Sequence, residues 1–528
     1  MVQHLITFML ATPVLGAILQ TVIGGQVPAS SRDGETNSPS ADVSAKPSRL
    51  GEGSASWAAL SASLASAICG VVLVASMHPK VAEPQIVESL PWIGSYAISY
   101  ELGLDGLSAP VVILISLVFP LLIAAEWTRG AGRRGIHGLL LILQASLLGA
   151  VCAQDLFLLF FFWSMSALPF YFLIGIWGGA DRESAAFRSI VTAALGNALF
   201  FGALLVVYYS AEPNTFSLRL LAQGGIRGAG FEILGYNVST SDLAFFLMTS
   251  GLILRAPIWP FHGWFTKVAV EAPATVLVAS VVTVLAVAPS IFMRLSTQLF
   301  PETLGKVASA VVVVGVVNLL VGGVCAVAQR GLRSLLAFVA LGELGLLLMG
   351  VGSLSQAGFV GAVYQQLVVG LALAALGLLV GVISERTRSE LFTADTESKD
   401  STLGGVALGA PGAALVAAIA SASILGVPGV GGFVSHALLV IGGYSFHPFV
   451  VIAAGGALLL GTYTILNMYR RVFLGQTTAL TAAFEDLRPR EKLYLIPVVI
   501  ALVGFGVYPK PLLDLVRPTV LAMLSSFN

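Results

Sequence analysis

Chemistry in this chain can only come from a few polar side chains set in long apolar runs. Arg255 ends the run that begins at Asp242 and is followed by Ala256-Pro-Ile-Trp-Pro-Phe-His262-Gly-Trp264. An ionisable residue inside an apolar run is costly, and its default reading is functional. An arginine keeps its proton in proteins. Arg255 can therefore anchor an anion, set the field for nearby protons or hold a broken helix, but it cannot pass a proton along. His262 can titrate near neutral pH, or simply pack. Glu343, in Ala340-Leu-Gly-Glu-Leu-Gly345, is the best proton-binding candidate, because a carboxylate can take up and release a proton. His436, in Gly432-Phe-Val-Ser-His436, is a second titratable candidate. Asp155 follows Gln154 and opens an apolar run, where an acidic side chain suits a helix N-terminus. Ser164, in Phe161-Phe-Trp-Ser-Met-Ser166, can return its hydrogen to the preceding turn, and Glu271 reads as a cap of the segment that follows it.

The elements that carry these residues follow from composition. The chain has 528 residues, 57% hydrophobic and only 10% charged, with equal numbers of basic and acidic groups. Soluble domains carry about 25% charged residues. The apolar runs are continuous and long, which indicates helices and excludes the alternating pattern of a membrane barrel. The fold class is an all-α polytopic membrane protein of about fourteen transmembrane helices, among them a fifth over 155–177, a seventh over 242–262, an eighth over 268–293, a tenth over 332–353 and a twelfth over 410–442. The seventh is broken by Pro257 and Pro260, which remove backbone donors. The twelfth is broken by Gly426-Val-Pro-Gly-Val-Gly-Gly432.

Residues 1–106 hold spans 1 and 2 with a Ser/Gly/Pro-rich loop over 26–56. Residues 107–442 hold spans 3–12 and 443–528 the last two. The outer loops 78–106 and 210–241 have room for short hairpins, and 385–409 is a charged linker. Lysine and arginine concentrate in the odd-numbered loops, which places those loops in the cytoplasm and both termini outside. Cys69, Cys152 and Cys325 are isolated, with no metal-ligand spacing and no phosphate-binding glycine loop. No cofactor is expected on this chain, and nothing indicates nucleic-acid binding.

From about residue 100 to 515 the sequence resembles a known family. The segments are Asp105-Gly-Leu-Ser108, Leu156-Phe-Leu-Leu-Phe-Phe-Phe-Trp163, Leu168-Pro-Phe-Tyr, Arg255-Ala-Pro-Ile-Trp-Pro-Phe-His-Gly-Trp264, Val270-Glu-Ala-Pro-Ala274, Gly426-Val-Pro-Gly-Val-Gly-Gly-Phe433, Asp486-Leu-Arg-Pro-Arg-Glu491 and Gly506-Val-Tyr-Pro509. In this order they are similar to the antiporter-like membrane subunits, subunit M or chain 4, of NADH–quinone oxidoreductase, respiratory complex I. The resemblance implies an antiporter-like fold with broken helices 7 and 12 and a proton-translocating core over 107–442. It also implies a bacterial inner membrane location, other membrane subunits as partners, and quinone bound by those subunits.

The departures fall on the family's proton path. Its fifth-span glutamate is Ser164 here, its seventh-span lysine is Arg255, and its eighth-span lysine falls at Ala286. Its tenth-span histidine is Glu343, its eleventh-span histidine falls at Val369, and its twelfth-span glutamate is His436. The family's lysine switches by pairing with the glutamate. Burying a charge without its partner costs several kcal/mol, so another anion is expected beside Arg255. The functional expectation is a membrane-arm subunit coupled to electron transport with its proton path largely replaced and pumping impaired. The alternatives are a working transporter built on Glu343, His436 and His262 around a fixed Arg255, a subunit of a cation/proton antiporter or membrane-bound hydrogenase complex, and a non-pumping scaffold.

Overall fold

The computed structural model describes residues 4–24, 49–127, 135–224, 226, 230–233, 236–393 and 402–527. It is mostly helical. Among the described residues ten helices are long and apolar enough to cross a membrane, counting Leu156–Trp177 and Ala274–Gln298 each as one. Three shorter apolar helices, Ile136–Cys152, Pro411–Ile424 and Gly431–Phe446, add to them. Pro489–Val507 and Lys510–Phe527 form a pair bent by 69°. The helices are shorter where proline and glycine interrupt them, so run length alone overstates them. Of the loop expected over 26–56, residues 26–48 lie outside the described residues. Arg49 already begins a helix that runs to Ala75. Residues 394–401 of the charged stretch 385–409 are also outside them.

The centre of the bundle is formed by α3 (Ser108–Trp127), the stretch Ala274–Gln298, α14 (Leu332–Gly352) and α15 (Gln356–Thr387), each at least four-fifths buried. The rim is formed by α1 (Leu5–Gly24), α7 (Arg182–Ser210), α13 (Pro301–Val327) and α19 (Pro448–Val472), whose apolar side chains face outward. Lipid is as apolar as leucine, so helix association in a membrane depends on close packing of small residues. Here α13 and α14 meet on glycines: a Cβ on Gly345 would lie 2.4 Å from the amide of Leu319, and one on Gly322 would lie 2.5 Å from that of Gly342.

The loops 78–106 and 210–241 contain the hairpins for which they have room. β1 (Gln85–Ile93) pairs antiparallel with β2 (Ile98–Leu104), and β3 (Phe231–Ile233) with β4 (Tyr236–Val238). The first hairpin closes one end of the bundle. Its buried Glu88 accepts the backbone N–H groups of Ile6 at 2.7 Å and Thr7 at 3.1 Å, satisfying the open N-terminus of α1.

Candidate functional site

Arg255 is the last residue of α9 (Thr240–Arg255), and α10 (Gly263–Glu271) starts only eight residues later. Pro257 and Pro260 in between offer no N–H, so the chain runs irregularly from 256 to 262. Asn318, fully buried on α13, holds this break. Its Oδ1 accepts the N–H of Trp259 at 2.9 Å, and its Nδ2 donates to the carbonyls of Leu341 at 2.8 Å and Pro257 at 3.4 Å. α9 lies tightly on α7 through Gly251 and Gly196. A Cβ on Gly196 would sit 2.6 Å from the Gly251 carbonyl and 3.1 Å from the Arg255 Cγ.

That contact brings Asn197 and the turn between α5 (Leu156–Met165) and α6 (Ala167–Trp177) to the guanidinium. Arg255 Nη1 donates to the Trp163 carbonyl at 2.7 Å and to Asn197 Oδ1 at 3.2 Å, and Nη2 donates to Ser166 Oγ at 2.8 Å. Its Cζ lies 3.8 Å from the centroid of the Trp163 ring. All of these partners are neutral. The expected anion is not there: among the described residues no carboxylate pairs with Arg255. A fork of neutral acceptors plus an aromatic face replaces the ion pair. Ser164 does not join in, and its buried hydroxyl makes no hydrogen bond among the described residues.

Glu343 is buried on α14. Gln365 Nε2, from α15, donates to its Oε2, and His436 Nε2 lies 3.4 Å from the same oxygen. His436 comes from α18 (Gly431–Phe446), which begins just after the glycine-rich break that ends α17 (Pro411–Ile424). Gly426, at φ +66°, abuts the imidazole, and a Cβ there would lie 2.8 Å from His436 Nδ1. Glu343 and His436 line one cavity of about 280 Å³ between α13, α14, α18 and α19. The two candidates are therefore in contact although 93 residues apart. An acid and an imidazole sharing a hydrogen-bonded oxygen beside a cavity can exchange a proton with each other and with water.

His262 is not in this cluster. It sits half-buried at the start of α10, in edge contact with the Phe338 ring, and its Nδ1 has no partner among the described residues. Asp155 caps α5, accepting N–H groups of Phe157 at 2.9 Å, Leu158 at 3.0 Å and Ser99 at 3.1 Å. Glu271 ends α10 rather than capping the next segment; it accepts the N–H of Asp181, the residue before α7, at 3.0 Å. Ala286 lies in a π-helical turn over Thr283–Val287, and Val369 is buried on α15. Among the described residues no cluster of three or more His, Cys, Asp or Glu is placed to hold a metal ion.

Sequence reasoning missed a second buried arginine. Arg294 lies one residue beyond the expected end of the eighth span at 293, but it belongs to α12 (Ala288–Gln298) and so is not a loop residue. Its Nη2 pairs with Asp105 Oδ2 at 2.7 Å, and its Nη1 donates to the Ala153 carbonyl at 3.1 Å. Both side chains are at most 3% exposed. The other oxygen of Asp105 caps α3, accepting from Leu107 and Ser108. Asn318 and Gln365 were also missed. Their signal was present, since each is an amide inside an apolar run.

The comparisons with known proteins agree with this architecture. The family model described as NADH:quinone oxidoreductase/Mrp antiporter, TM, matches residues 153–461. The chain therefore belongs to the family of antiporter-like membrane subunits shared by these two kinds of complex. It is similar to NADH-quinone oxidoreductase subunit M of Rhodobacter capsulatus, 29% identical over 90% of this chain and 91% of that protein. Its fold matches a chain of respiratory complex I from Thermus thermophilus with bound NADH, at a TM-score of 0.83 and 21% identity over the whole of both chains. It also matches a chain of the Mrp complex from Dietzia sp. DQ12-45-1b, at a TM-score of 0.80 and 19% identity, covering 100% of this chain and 98% of that one.

Proposed function

We propose that this chain is a membrane-arm subunit of a complex-I-like NADH–quinone oxidoreductase whose proton-exchanging centre is Glu343 with Gln365 and His436. The single observation that carries this reading is the shared contact of Gln365 and His436 with one Glu343 oxygen at the 280 Å³ cavity. Around it, Arg255 is a fixed charge. It is held by neutral groups and, as an arginine, does not release its proton. Proton movement through that half of the chain is therefore impaired relative to a lysine–glutamate switch. Quinone and the redox groups belong to other subunits. In this reading the helices form fourteen spans, with α9–α10 and α17–α18 as broken spans. Both termini face outward from a bacterial inner membrane, as the distribution of lysine and arginine supports.

The test is the proton-to-electron ratio of the reconstituted complex carrying Glu343→Gln or His436→Ala. A fall in both variants, with quinone reduction retained, is expected. An unchanged ratio in both overturns the reading and leaves a scaffold. The near-equal match to the Mrp complex chain supports a second reading, a cation/proton antiporter subunit. It predicts sodium-dependent proton exchange in vesicles without any quinone.

A further inference from the structure

Arg255 lines a second, smaller cavity of about 30 Å³ with Ser189, Thr192, Trp264, Ser280 and Thr283. The wall is rich in donors. A guanidinium has five N–H groups, and three are engaged by Trp163, Asn197 and Ser166. The indole N–H of Trp264 is buried and has no acceptor among the described residues. Thr192, Ser280 and Thr283 direct their hydroxyl hydrogens to carbonyls of their own helices, at 2.8, 2.7 and 2.9 Å. The donors available to the cavity thus come from Arg255 and Trp264, with the hydroxyl of Ser189. No acidic residue lines it.

A buried cation without a counter-charge is the costly half of an ion pair. A cavity that holds water needs about 10–15 Å³, so this one accommodates a single small ion but not a polyatomic carboxylate. We propose that the Arg255 cavity binds a monovalent anion of the halide class, which supplies the counter-charge that no side chain supplies. The family-position glutamate is replaced here by Ser164, and the halide stands as a dissociable anion in its stead. The inference concerns charge balance alone and holds whether or not the chain moves protons.

The test uses the purified full-length chain, unfolded thermally in sodium chloride and in sodium gluconate of equal ionic strength, with bromide located by anomalous scattering. The wild type should gain thermal stability with halide concentration, rising with its logarithm once the concentration exceeds the dissociation constant, as linkage to a native-state ligand requires, and bromide should appear beside Arg255. Asn197→Asp places a carboxylate of the same size where an oxygen already accepts from Nη1 at 3.2 Å. It should weaken halide binding at least tenfold and raise stability in gluconate. Asn197→Ala, which removes the acceptor but adds no charge, should keep the halide response. Identical wild-type transitions in chloride and gluconate overturn the proposal. So does a halide affinity that is unchanged in Asn197→Asp, or one lost equally in Asn197→Ala.

Discussion

The pair of Arg294 with Asp105 offers the sharpest test of how this bundle balances buried charge. Replacing Arg294 by methionine keeps most of the side-chain volume. It removes the 2.7 Å contact to Asp105 and the 3.1 Å contact to the Ala153 carbonyl. Asp105 then remains buried with only the N–H groups of Leu107 and Ser108, at 3.1 and 2.8 Å, to stabilise its charge. Breaking a buried pair from one side typically costs about 3–5 kcal/mol. The two remaining amides put the expected cost near the low end, about 3 kcal/mol, which is more than a hundredfold in the folding equilibrium. Asp105→Asn keeps an oxygen for the cap but strands Arg294, at a similar cost of about 3 kcal/mol. The double variant buries no net charge, and its cost should fall short of the sum by about 2–3 kcal/mol. Equilibrium unfolding of the reconstituted chain in bilayer discs measures all three. Additivity within about 0.5 kcal/mol would show that the two side chains do not stabilise each other, and the account of the bundle centre would fail.

Arg255→Lys keeps the charge but replaces the two-nitrogen fork and its stacking on Trp163 with a point charge. It should lower stability by about 1–3 kcal/mol without raising the proton-to-electron ratio, since Ser164 and Ala286 remain. A gain in pumping would show instead that the arginine alone had closed an intact path. Asn318→Leu leaves the N–H of Trp259 and the carbonyl of Leu341 without this partner and should cost about 1–3 kcal/mol; unchanged protection of the Trp259 amide in hydrogen exchange would contradict it. In the loop before α20 (Pro489–Val507), burial opposes ionisation of Asp486. The N–H groups of Leu487, Ala413 and Gly412 and the charge of Lys492 outweigh that and hold its carboxyl below the usual aspartate range. A group depressed on folding contributes stability above its unfolded value, about 3.9. That contribution should fade as pH drops below this value through the folded one. Asp486→Asn should flatten the acid limb of a thermal-stability profile below about pH 4, and an identical limb in both proteins would count against the assignment.

How much of this was legible in the sequence depends on the range of the interaction. The break after Arg255 could be read from Pro257 and Pro260, and the one at 425–430 from Gly426-Val-Pro-Gly-Val-Gly-Gly432, because proline and glycine act within a turn of themselves. The candidacy of Glu343 and His436 was legible for the same local reason, as polar residues in apolar surroundings. Their contact was not, since it depends on how α14 and α18 pack across 93 residues. Arg294 lies just past the eighth apolar run yet inside its helix, because an apolar run marks where hydrophobicity falls rather than where a helix ends. The compensating Asp105 is 189 residues away. The expectation of an anion beside Arg255 was physically sound but incomplete, because it overlooked what a serine hydroxyl, an amide, a carbonyl and an indole face can do together.

The two buried arginines show why position in the bundle decides what a charge can do. Arg294 has a resident carboxylate whose second oxygen caps α3, so moving that carboxylate would also uncap a helix start. That couples it to the fold and leaves it no freedom to switch. Arg255 has only neutral partners, and none of them would be stranded as a charge if it moved. Glu343 lies between these extremes. Its oxygen is shared by an amide and an imidazole, and the imidazole comes from a helix that starts at a glycine-rich break. It also faces the larger cavity. Protonation of Glu343 changes the net charge of that cluster without removing its hydrogen bonds, since Gln365 and His436 can each donate or accept. Under the proposed function this cluster is the site of proton exchange, a role that neither arginine can take because a guanidinium keeps its proton.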